Sequence, residues 1–404
     1  MIFFCSAIVR TSTCRTPAFA SAFSTALSRP PTATTAGTVR STRSLLRASF
    51  LDELTRTFSG MTTGETSKYY TVGITGAGGL IGTAFQNELS QMKTINGKPI
   101  RIVTLKRGNQ ASKFDDTDDT LTSATWNPNA AEASSVIDPA LVEQLNALVH
   151  LSGENVSTGQ GLLAPLGIRP WTESKKKEIL DSRTATTSAL AKAIAASNNK
   201  SLDFLVASGV GAYGKDFIGK GVTAVDESVD ISQTDGFLAE VSRQWEASAE
   251  PAVKAGNRVV NMRNGVVLST KGGVLAKLYP VFFLGGGGIV GSGEQYFPYI
   301  SGRDMAKAMV HVMKTPKLKG PVNMCAPDGC TNAEFTAAMG SVLNRPTILP
   351  LPGFAVSLLF GEMGEELLLG GVRATPKKLL DSGFSFSHPT IEAAVQSAID
   401  EKDI

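Results

Sequence analysis

Three glycines at a regular spacing mark the part of the chain best suited to bind a phosphorylated ligand. Gly76, Gly79 and Gly82 follow a short apolar run that predicts a strand, and they precede residues with helical periodicity. In such a turn the first glycine permits a tight bend, the second lets the backbone approach a pyrophosphate, and the third lets the helix pack on the strand. Free N–H groups at the positive end of the helix attract the phosphates. The pattern predicts a dinucleotide site at Gly76, Gly79, Leu80, Ile81 and Gly82.

Two cations close the next predicted strand, residues 100–105. Lys106 and Arg107 stand where a site for NAD usually offers an acid to the ribose 2′-hydroxyl group. Two positive charges suit a 2′-phosphate instead, because ammonium and guanidinium groups both donate charge-assisted hydrogen bonds to it. We therefore expect NADP(H) rather than NAD. The alternative is a basic strand end that contacts only solvent.

A third predicted strand, residues 145–151, leads into Ser152 and Gly153. Ligands collect at the carboxyl ends of strands in open α/β sheets, and small residues there let the backbone touch a cofactor. His150, inside the strand, is more typical of a packed side chain than of a catalyst.

Apolar runs alternate with helical periodicity through the body of the chain. The predicted strands are residues 69–75, 100–105, 145–151, 202–208 and 258–268. This alternation implies an α/β fold with a Rossmann-type, doubly wound parallel sheet. Beyond it the pattern becomes irregular and glycine-rich, which indicates a smaller α/β C-terminal substrate lobe. We expect a cofactor-binding domain at 69–268 and a second part at 269–404, with residues 285–293 as a mobile flap over the substrate.

The first fifty residues have the composition of a targeting segment. Residues 1–50 contain six Arg and no Asp or Glu, and they are rich in Ser, Thr and Ala. Such a segment cannot bury a core, so we expect a disordered presequence. The run Ala20-Ser21-Ala22-Phe23 resembles a plastid cleavage motif. A plastid is therefore the preferred destination, and a mitochondrion is the alternative. A disordered tail with no targeting function would have a similar composition.

The remaining chain argues against several other classes of function. The charges of residues 57–404 nearly cancel, so no basic surface is expected for a nucleic acid. The apolar run 354–360 is too short to be an integral membrane segment. Cys325 and Cys330, with neither a second pair nor a nearby His, do not make a metal site.

Taken together, these motifs resemble the extended short-chain dehydrogenase/epimerase superfamily. More narrowly, the chain resembles the atypical subgroup called epimerase family proteins, whose members include the giant-chloroplast protein of plants, associated with plastid division. The matching segments are residues 74–82, 150–154, 171, 182–183, 208–214, 263–268, 285–298, 361–363 and 376–379.

The resemblance implies a set of NADP contacts on this chain. They are Lys106, Arg107, Leu151, Ser152, Glu178, Arg183 and Val267. Arg183 takes the place where extended enzymes usually carry an active-site Asn, and its guanidinium group could reach a phosphate or ribose of the cofactor. The alternative for Arg183 is a surface ion pair with Asp181 or Glu178 on the same predicted helix.

The acid–base pair usual in this superfamily is missing. Its members use Tyr-x-x-x-Lys on one helix, where the lysine charge lowers the tyrosine pKa. No Tyr of this chain has a Lys four residues later, and Phe237 and Val241 stand where the pair is expected. Ser208 and Tyr213, at the carboxyl end of a predicted strand, are the substitute catalytic candidates. Alternatively, Ser208 only orders the cofactor and Tyr213 only packs.

The sequence therefore predicts an NADP(H)-binding protein with oxidoreductase or epimerase activity on a small-molecule substrate of unknown identity. The alternative is a non-catalytic sensor or scaffold, in which a protein partner reads cofactor occupancy, a role in plastid division being one such case.

Overall fold

Strand β1 (Tyr70–Thr75) lies at the centre of the main sheet, and all six of its residues are buried. It pairs in parallel with β3 (Lys98–Arg107) on one side and with β5 (Ala147–His150) on the other. The order of the strands reverses at β1, and in sheets of this kind the crevice beyond such a reversal is where ligands bind.

The computed structural model describes residues 67–114, 122–156, 170–214 and 223–400. The expected presequence, residues 1–50, lies outside the described residues. The main sheet runs in the order β4-β3-β1-β5-β6-β7-β11, with every neighbouring pair parallel. The remaining strands of this row are β4 (Ser123–Trp126), β6 (Asp203–Gly209), β7 (Arg258–Asn264) and β11 (Gly320–Met324). The prediction of a doubly wound, Rossmann-type α/β fold is confirmed.

Five short strands complete the β structure of the described residues. Strand β2 (Thr94–Ile95) joins β3 through a two-residue turn in which Asn96 and Gly97 both have positive φ, the combination that a tight hairpin requires. Away from the main sheet, β8 (Val266–Leu268) pairs in parallel with β10 (Tyr299–Ser301). The antiparallel pair consists of β9 (Tyr296–Phe297) and β12 (Cys330–Thr331).

Helices cover both faces of the sheet. In chain order they are α1 (Leu80–Gln91), α2 (Ala133–Val136), α3 (Pro139–Gln144), α4 (Glu173–Ala196), α5 (Phe237–Ala247), α6 (Glu250–Lys254), α7 (Gly273–Phe283), α8 (Gly302–Lys314), α9 (Asn332–Leu343), α10 (Gly353–Gly364), α11 (Lys377–Asp381) and α12 (Ile391–Asp400). A 3-10 turn covers Val210–Tyr213, and a π-helical turn at Glu365–Leu369 follows α10 directly.

Two apolar layers hold the helices to the sheet. On one face, Phe85 and Leu89 of α1 pack with Met305 and Met309 of α8. On the other face, α4 buries its apolar side, which includes Leu190, against the strands. Burial of such side chains stabilises a fold by roughly 1.5–3 kcal/mol each, so these layers hold the helices firmly against the sheet.

The structure departs from the expected segmentation at two points. The segment 258–268, predicted as one strand, is broken at Gly265, where an added methyl group would lie 3.0 Å from the carbonyl oxygen of Pro298. There the chain leaves the main sheet and continues as β8, because β10 offers it a new partner. Strand β11 pairs with β7 inside the main sheet, so the sheet extends past residue 268, where we expected the cofactor-binding domain to end.

Among the described residues, no helix combines the length and apolar character needed to cross a bilayer. The same residues contain no group of His, Cys, Asp and Glu placed to hold a metal ion. Cys325 and Cys330 are free and buried, and burial raises the pKa of both thiols.

Candidate functional site

The glycine turn is built by contacts that leave no room for side chains. Gly76 has φ +68°, and a methyl group added to it would lie 2.9 Å from the backbone nitrogen of Ser152. A methyl group on Gly82 would lie 2.5 Å from the carbonyl oxygen of Gly76. The turn therefore touches the loop after β5 through backbone atoms, and helix α1 touches the turn in the same way. Larger residues at either position would push these elements apart.

Helix α1 begins beside this turn with an open amino end. Its N-cap is Gly79, no side chain caps it, and its first turn contains no acid. A methyl group on Gly78 would meet no atom within 4 Å, so the turn has open space beside this residue. Uncapped N–H groups at the positive end of a helix form an anion site. Leu80 and Ile81 lie in this first turn.

A second helix starts against the same turn. The N-cap of α7 is Gly272, which also lacks a side-chain cap, and a methyl group on it would lie 3.5 Å from Leu80. Gly273, with φ +68°, approaches the carbonyl oxygen of Val267 equally closely. The structure thus brings Val267, expected from the resemblance, to the edge of the glycine turn.

Lys106 and Arg107 are exposed at the carboxyl end of β3, beside β1. Neither side chain has a hydrogen-bond or ion-pair partner among the described residues. Their charges are free for a ligand, as a 2′-phosphate site requires.

His150 is packed within the sheet. Its ring contacts the hydroxyl oxygens of Thr75 at 2.6 Å and Thr186 at 3.1 Å. Burial, helped by the positive charge of Arg107, lowers its pKa to about 3. His150 is therefore neutral at physiological pH, which agrees with a structural role.

Arg183 is attached to the loop after β5. It donates hydrogen bonds to the carbonyl oxygens of Glu154 (2.9 Å) and Ile179 (3.0 Å). Its guanidinium group lies over the Trp245 ring, 4.9 Å from the centroid, and burial lowers its pKa to about 10. A methyl group on Gly153 would lie 3.2 Å from the guanidinium carbon, so glycine lets the guanidinium group approach the backbone closely.

The surface ion pairs considered for Arg183 are formed by other residues. Asp181 pairs with Lys177, and Glu178 pairs with Lys175 at 3.2 Å. Lys175 also binds Glu154 at 2.6 Å, which links Glu178 to the loop after β5. Leu151, Ser152, Gly153, Glu178 and Arg183 are thus brought together at one end of the sheet.

Ser208 belongs to a buried polar row. Its hydroxyl group donates to Glu246 at 2.9 Å, and Glu246 forms an ion pair with Arg263 at 2.8 Å. Ser208, Arg263 and Asn323 occupy paired positions on β6, β7 and β11. Sequence reasoning missed Glu246, Arg263 and Asn323, although the last two close strands just as Ser208 does.

Tyr213 is fully buried at the far end of this row. Its hydroxyl group donates to Asn323 at 2.8 Å, and Arg263 lies 5.0 Å from the ring centroid. Burial raises the pKa of Tyr213 to about 12. A phenol that exchanges protons near neutral pH needs the opposite shift.

Apolar groups stand at the two positions where the resemblance leads us to expect the superfamily's acid–base pair. Val241 is buried on α5, and the Phe237 ring packs edge-on against Trp171, with 4.9 Å between ring centroids. The backbone N–H groups of Phe237 and Leu238 donate to the carboxylate of Glu366, at 2.7 and 2.9 Å. This carboxylate comes from the π-helical turn in the C-terminal part of the chain.

The glycine-rich segment 285–293, expected to be a flap, is hydrogen-bonded to the chain after α9. The backbone N–H of Leu349 donates to Gly287, and that of Leu351 donates to Ile289 at 2.9 Å. A side chain on Gly288 would overlap the carbonyl group of Leu349. The C-terminal part of the chain therefore holds this segment through backbone hydrogen bonds.

The strand order, the reversal at β1 and the open glycine turn define a Rossmann-type nucleotide-binding protein. Residues 72–325 match the model of the NAD dependent epimerase/dehydratase family. The chain belongs to this family. Residues 351–398 match a second model, a domain of unknown function (DUF1731).

Known relatives agree with this assignment. An epimerase family protein of Mycobacterium bovis is 38% identical over 326 residues, which cover 80% of this chain and 96% of the relative. The Arabidopsis thaliana protein named "Epimerase family protein SDR39U1 homolog, chloroplastic" is 31% identical over 367 residues, 91% of this chain and 97% of the relative. The crystal structure of human epimerase family protein SDR39U1 with NADPH matches with a TM-score of 0.64 and 30% identity, covering 82% of this chain and 99% of that one. The family resemblance drawn from the motifs is confirmed.

Proposed function

We propose that the chain binds NADP(H) and acts as an oxidoreductase or epimerase on a small-molecule substrate. One observation carries the cofactor assignment: the open amino end of α1 lies one strand away from two unpaired cations, Lys106 and Arg107. A pyrophosphate and a separate phosphate group fit such an arrangement. The NADPH bound to the related human protein supports the same assignment.

The residues around the turn fit the rest of a dinucleotide. The glycine turn and the first turn of α1 would hold the pyrophosphate, and Lys106 and Arg107 the 2′-phosphate. The remaining contacts would come from Leu151, Ser152, Gly153, Glu178, Arg183 and Val267. When bound, the reduced cofactor supplies a hydride; the protein supplies orientation, exclusion of water and a proton.

For Ser208 and Tyr213 the geometry supports ordering the site rather than exchanging protons. The Ser208 hydroxyl group already donates to Glu246, and the Tyr213 hydroxyl group is buried and donates to Asn323. Both residues then hold the carboxyl ends of β6, β7 and β11 in register.

A non-catalytic sensor is the second candidate, favoured by the apolar pair Phe237 and Val241. Two measurements on the full chain distinguish the enzyme from the sensor: NADPH binding by calorimetry and NADPH oxidation by absorbance. Enzyme action requires micromolar NADPH binding together with NADPH oxidation in the presence of an extract of organellar metabolites. Binding without oxidation would favour the sensor, and a lack of NADPH binding at millimolar concentration would end both proposals.

We also propose import into a plastid through residues 1–50. The support is their composition and the chloroplastic name of the Arabidopsis relative. A fluorescent protein fused behind residues 1–56 tests the proposal in cells that contain both organelles. Fluorescence confined to mitochondria would establish the alternative destination instead.

A further inference from the structure

A cation stands where the family's catalytic tyrosine is missing. The Nζ atom of Lys176 on α4 lies 5.0 Å from the centroid of the Phe237 ring. The carboxylate of Glu362 on α10 holds the same Nζ atom, at 2.9 and 3.3 Å. The proposed cofactor contacts use none of these three residues.

The position of Lys176 along its helix relates it to the cofactor site. Lys176 precedes Arg183 by seven residues, so both lie on one face of α4, roughly 10 Å apart along the helix axis. Arg183 donates a hydrogen bond to the loop after β5, where the cofactor is expected. Lys176 therefore lies farther out on the same face, beside the C-terminal part of the chain, as expected for a group that meets the substrate.

The surroundings of Lys176 keep it charged and leave it reachable. An ammonium group has three donors, and its side chain here is 22% exposed. The hydrogen bond to Glu362 raises the pKa of Lys176, with a smaller contribution from Glu173, 3.6 Å away on the same helix. Within the part of the chain that the structure describes, the charged groups paired with Lys176 are these two carboxylates, and the Phe237 ring adds a favourable cation–π contact.

We propose that Lys176 donates the proton to the substrate oxygen in place of the absent tyrosine, and that Glu362 is the positioning residue that holds it. This rests on the proposed function. In the reductive direction the substrate carbonyl carbon gains a hydride from NADPH, which is oxidised to NADP⁺. The electron pair of the C=O π bond moves to oxygen, and oxygen takes a proton from Lys176 Nζ. The neutral amine then regains a proton from solvent.

The charge state decides which proton is available. The ion pair with Glu362 keeps Lys176 protonated at neutral pH, so the proton that reduction needs is in place, while the same ion pair makes the ammonium group a weaker acid. The substrate oxygen, which has gained the electron pair of the π bond, is the stronger base and takes this proton. The proposal also gives the C-terminal part a role, because it supplies both Glu362 beside Lys176 and Glu366 at the start of α5.

Four variants of the full chain test this proposal: Lys176→Met, Lys176→Arg, Glu362→Gln and the control Lys177→Met. The control removes an exposed lysine of the same helix whose ion-pair partner among the described residues is Asp181. The probe reaction is oxidation of NADPH with 4-nitrobenzaldehyde, and NADPH affinity is measured separately by calorimetry. We expect Lys176→Met to lower kcat by about 100-fold or more, the usual effect of losing a general acid. NADPH affinity should change less than about twofold, because the glycine turn is untouched.

A second readout does not depend on turnover. Reductive methylation with ¹³C labels each lysine, and the signal missing in Lys176→Arg assigns residue 176. Its pKa should lie above the ordinary lysine value in the wild type and should be lower in Glu362→Gln. The fall of the turnover rate at alkaline pH should then begin at a lower pH in Glu362→Gln than in the wild type.

The outcomes separate the two proposals. Normal turnover in Lys176→Met overturns the inference and leaves the proposed function standing. A Lys176 pKa that is the same in the wild type and in Glu362→Gln does so as well. Bound NADPH without turnover in the wild type overturns the inference and the proposed catalysis together. If Lys176→Met is unfolded by circular dichroism, Lys176→Arg decides. It keeps the charge but is a far weaker acid, so normal turnover there also overturns the proposal.

Discussion

The carboxylate of Glu366 lies 2.7 Å from the backbone nitrogen of Phe237, across 129 residues of sequence. It accepts the first free N–H groups of α5 and so does the work of an N-cap, since no side chain of the helix's own N-cap does so. The C-terminal part thus completes a helix of the Rossmann fold at Phe237, the position where the resemblance leads us to expect the superfamily's tyrosine.

Loss of this contact should destabilise the protein. We expect Glu366→Ala to lower the free energy of unfolding by about 1–2 kcal/mol, the usual cost of removing a helix cap. Glu365→Ala is the control, since the neighbouring Glu365 is exposed. Urea unfolding followed by circular dichroism measures both, and equal effects of the two substitutions would refute the capping role.

The glycine turn allows a matched pair of substitutions. Gly82→Ala should destabilise the protein by more than about 2 kcal/mol, because its methyl group would lie 2.5 Å from the oxygen of Gly76. Gly78→Ala should change stability by less than about 0.5 kcal/mol, since its methyl group meets nothing within 4 Å. Unfolding without cofactor is the measurement, so that ligand binding does not enter. A stable Gly82→Ala variant would mean that the turn is not packed as described.

Removal of one cation tests the choice between NADP(H) and NAD. We expect Arg107→Ala to weaken NADPH binding by about 10-fold or more, the loss of one charge-assisted contact of 1.5–3 kcal/mol. NADH binding should be unchanged, because NADH lacks the 2′-phosphate. Lys93→Ala removes an exposed cation beyond α1 and serves as the control. Calorimetry in which Arg107→Ala weakens both cofactors equally would show that Arg107 does not read the 2′-phosphate.

The turn and its helix could be predicted from sequence because their signals are local. Gly76, Gly79 and Gly82 lie within seven residues and are flanked by regular apolar patterns. Strand β4 escaped prediction because only two of its four residues, Ala124 and Trp126, are buried. Strand β11 escaped because it starts with Gly320-Pro321, a pair that usually marks a turn.

The candidate acid was hidden for a different reason. Residues 175–177 are three consecutive lysines, which in sequence look like a solvated helix face. Successive helical residues point about 100° apart, and in the structure each lysine meets a different partner: Glu154, Glu362 and Asp181. The contact between Lys176 and Glu362 of α10 is what distinguishes Lys176 from Lys175 and Lys177, and the sequence does not reveal this contact.

Acid should destabilise the protein partly through His150. The unfolded residue takes up a proton below about pH 6.5, whereas burial holds the folded pKa at about 3. The unfolded state therefore binds more protons in this window, and stability falls as the pH drops from about 6.5 towards 3. In this pH window the wild type should lose up to about 1.4 kcal/mol of unfolding free energy per pH unit through His150, and His150→Gln should not show this loss. Urea unfolding at pH 7.0, 6.0, 5.0 and 4.5 measures the difference, and parallel profiles would contradict a buried neutral His150.

Substitutions in the buried polar row distinguish a structural role of Tyr213 from a catalytic one. Tyr213→Phe leaves the Asn323 side-chain oxygen without this donor, so we expect it to cost about 1–3 kcal/mol of stability. The pH profile of NADPH oxidation should stay unchanged. Glu246→Gln leaves Arg263 buried without its countercharge and should cost more, about 3–5 kcal/mol. A Tyr213→Phe variant of normal stability that loses 100-fold in kcat would instead show that this hydroxyl group transfers the proton, and Lys176 would lose its assigned role.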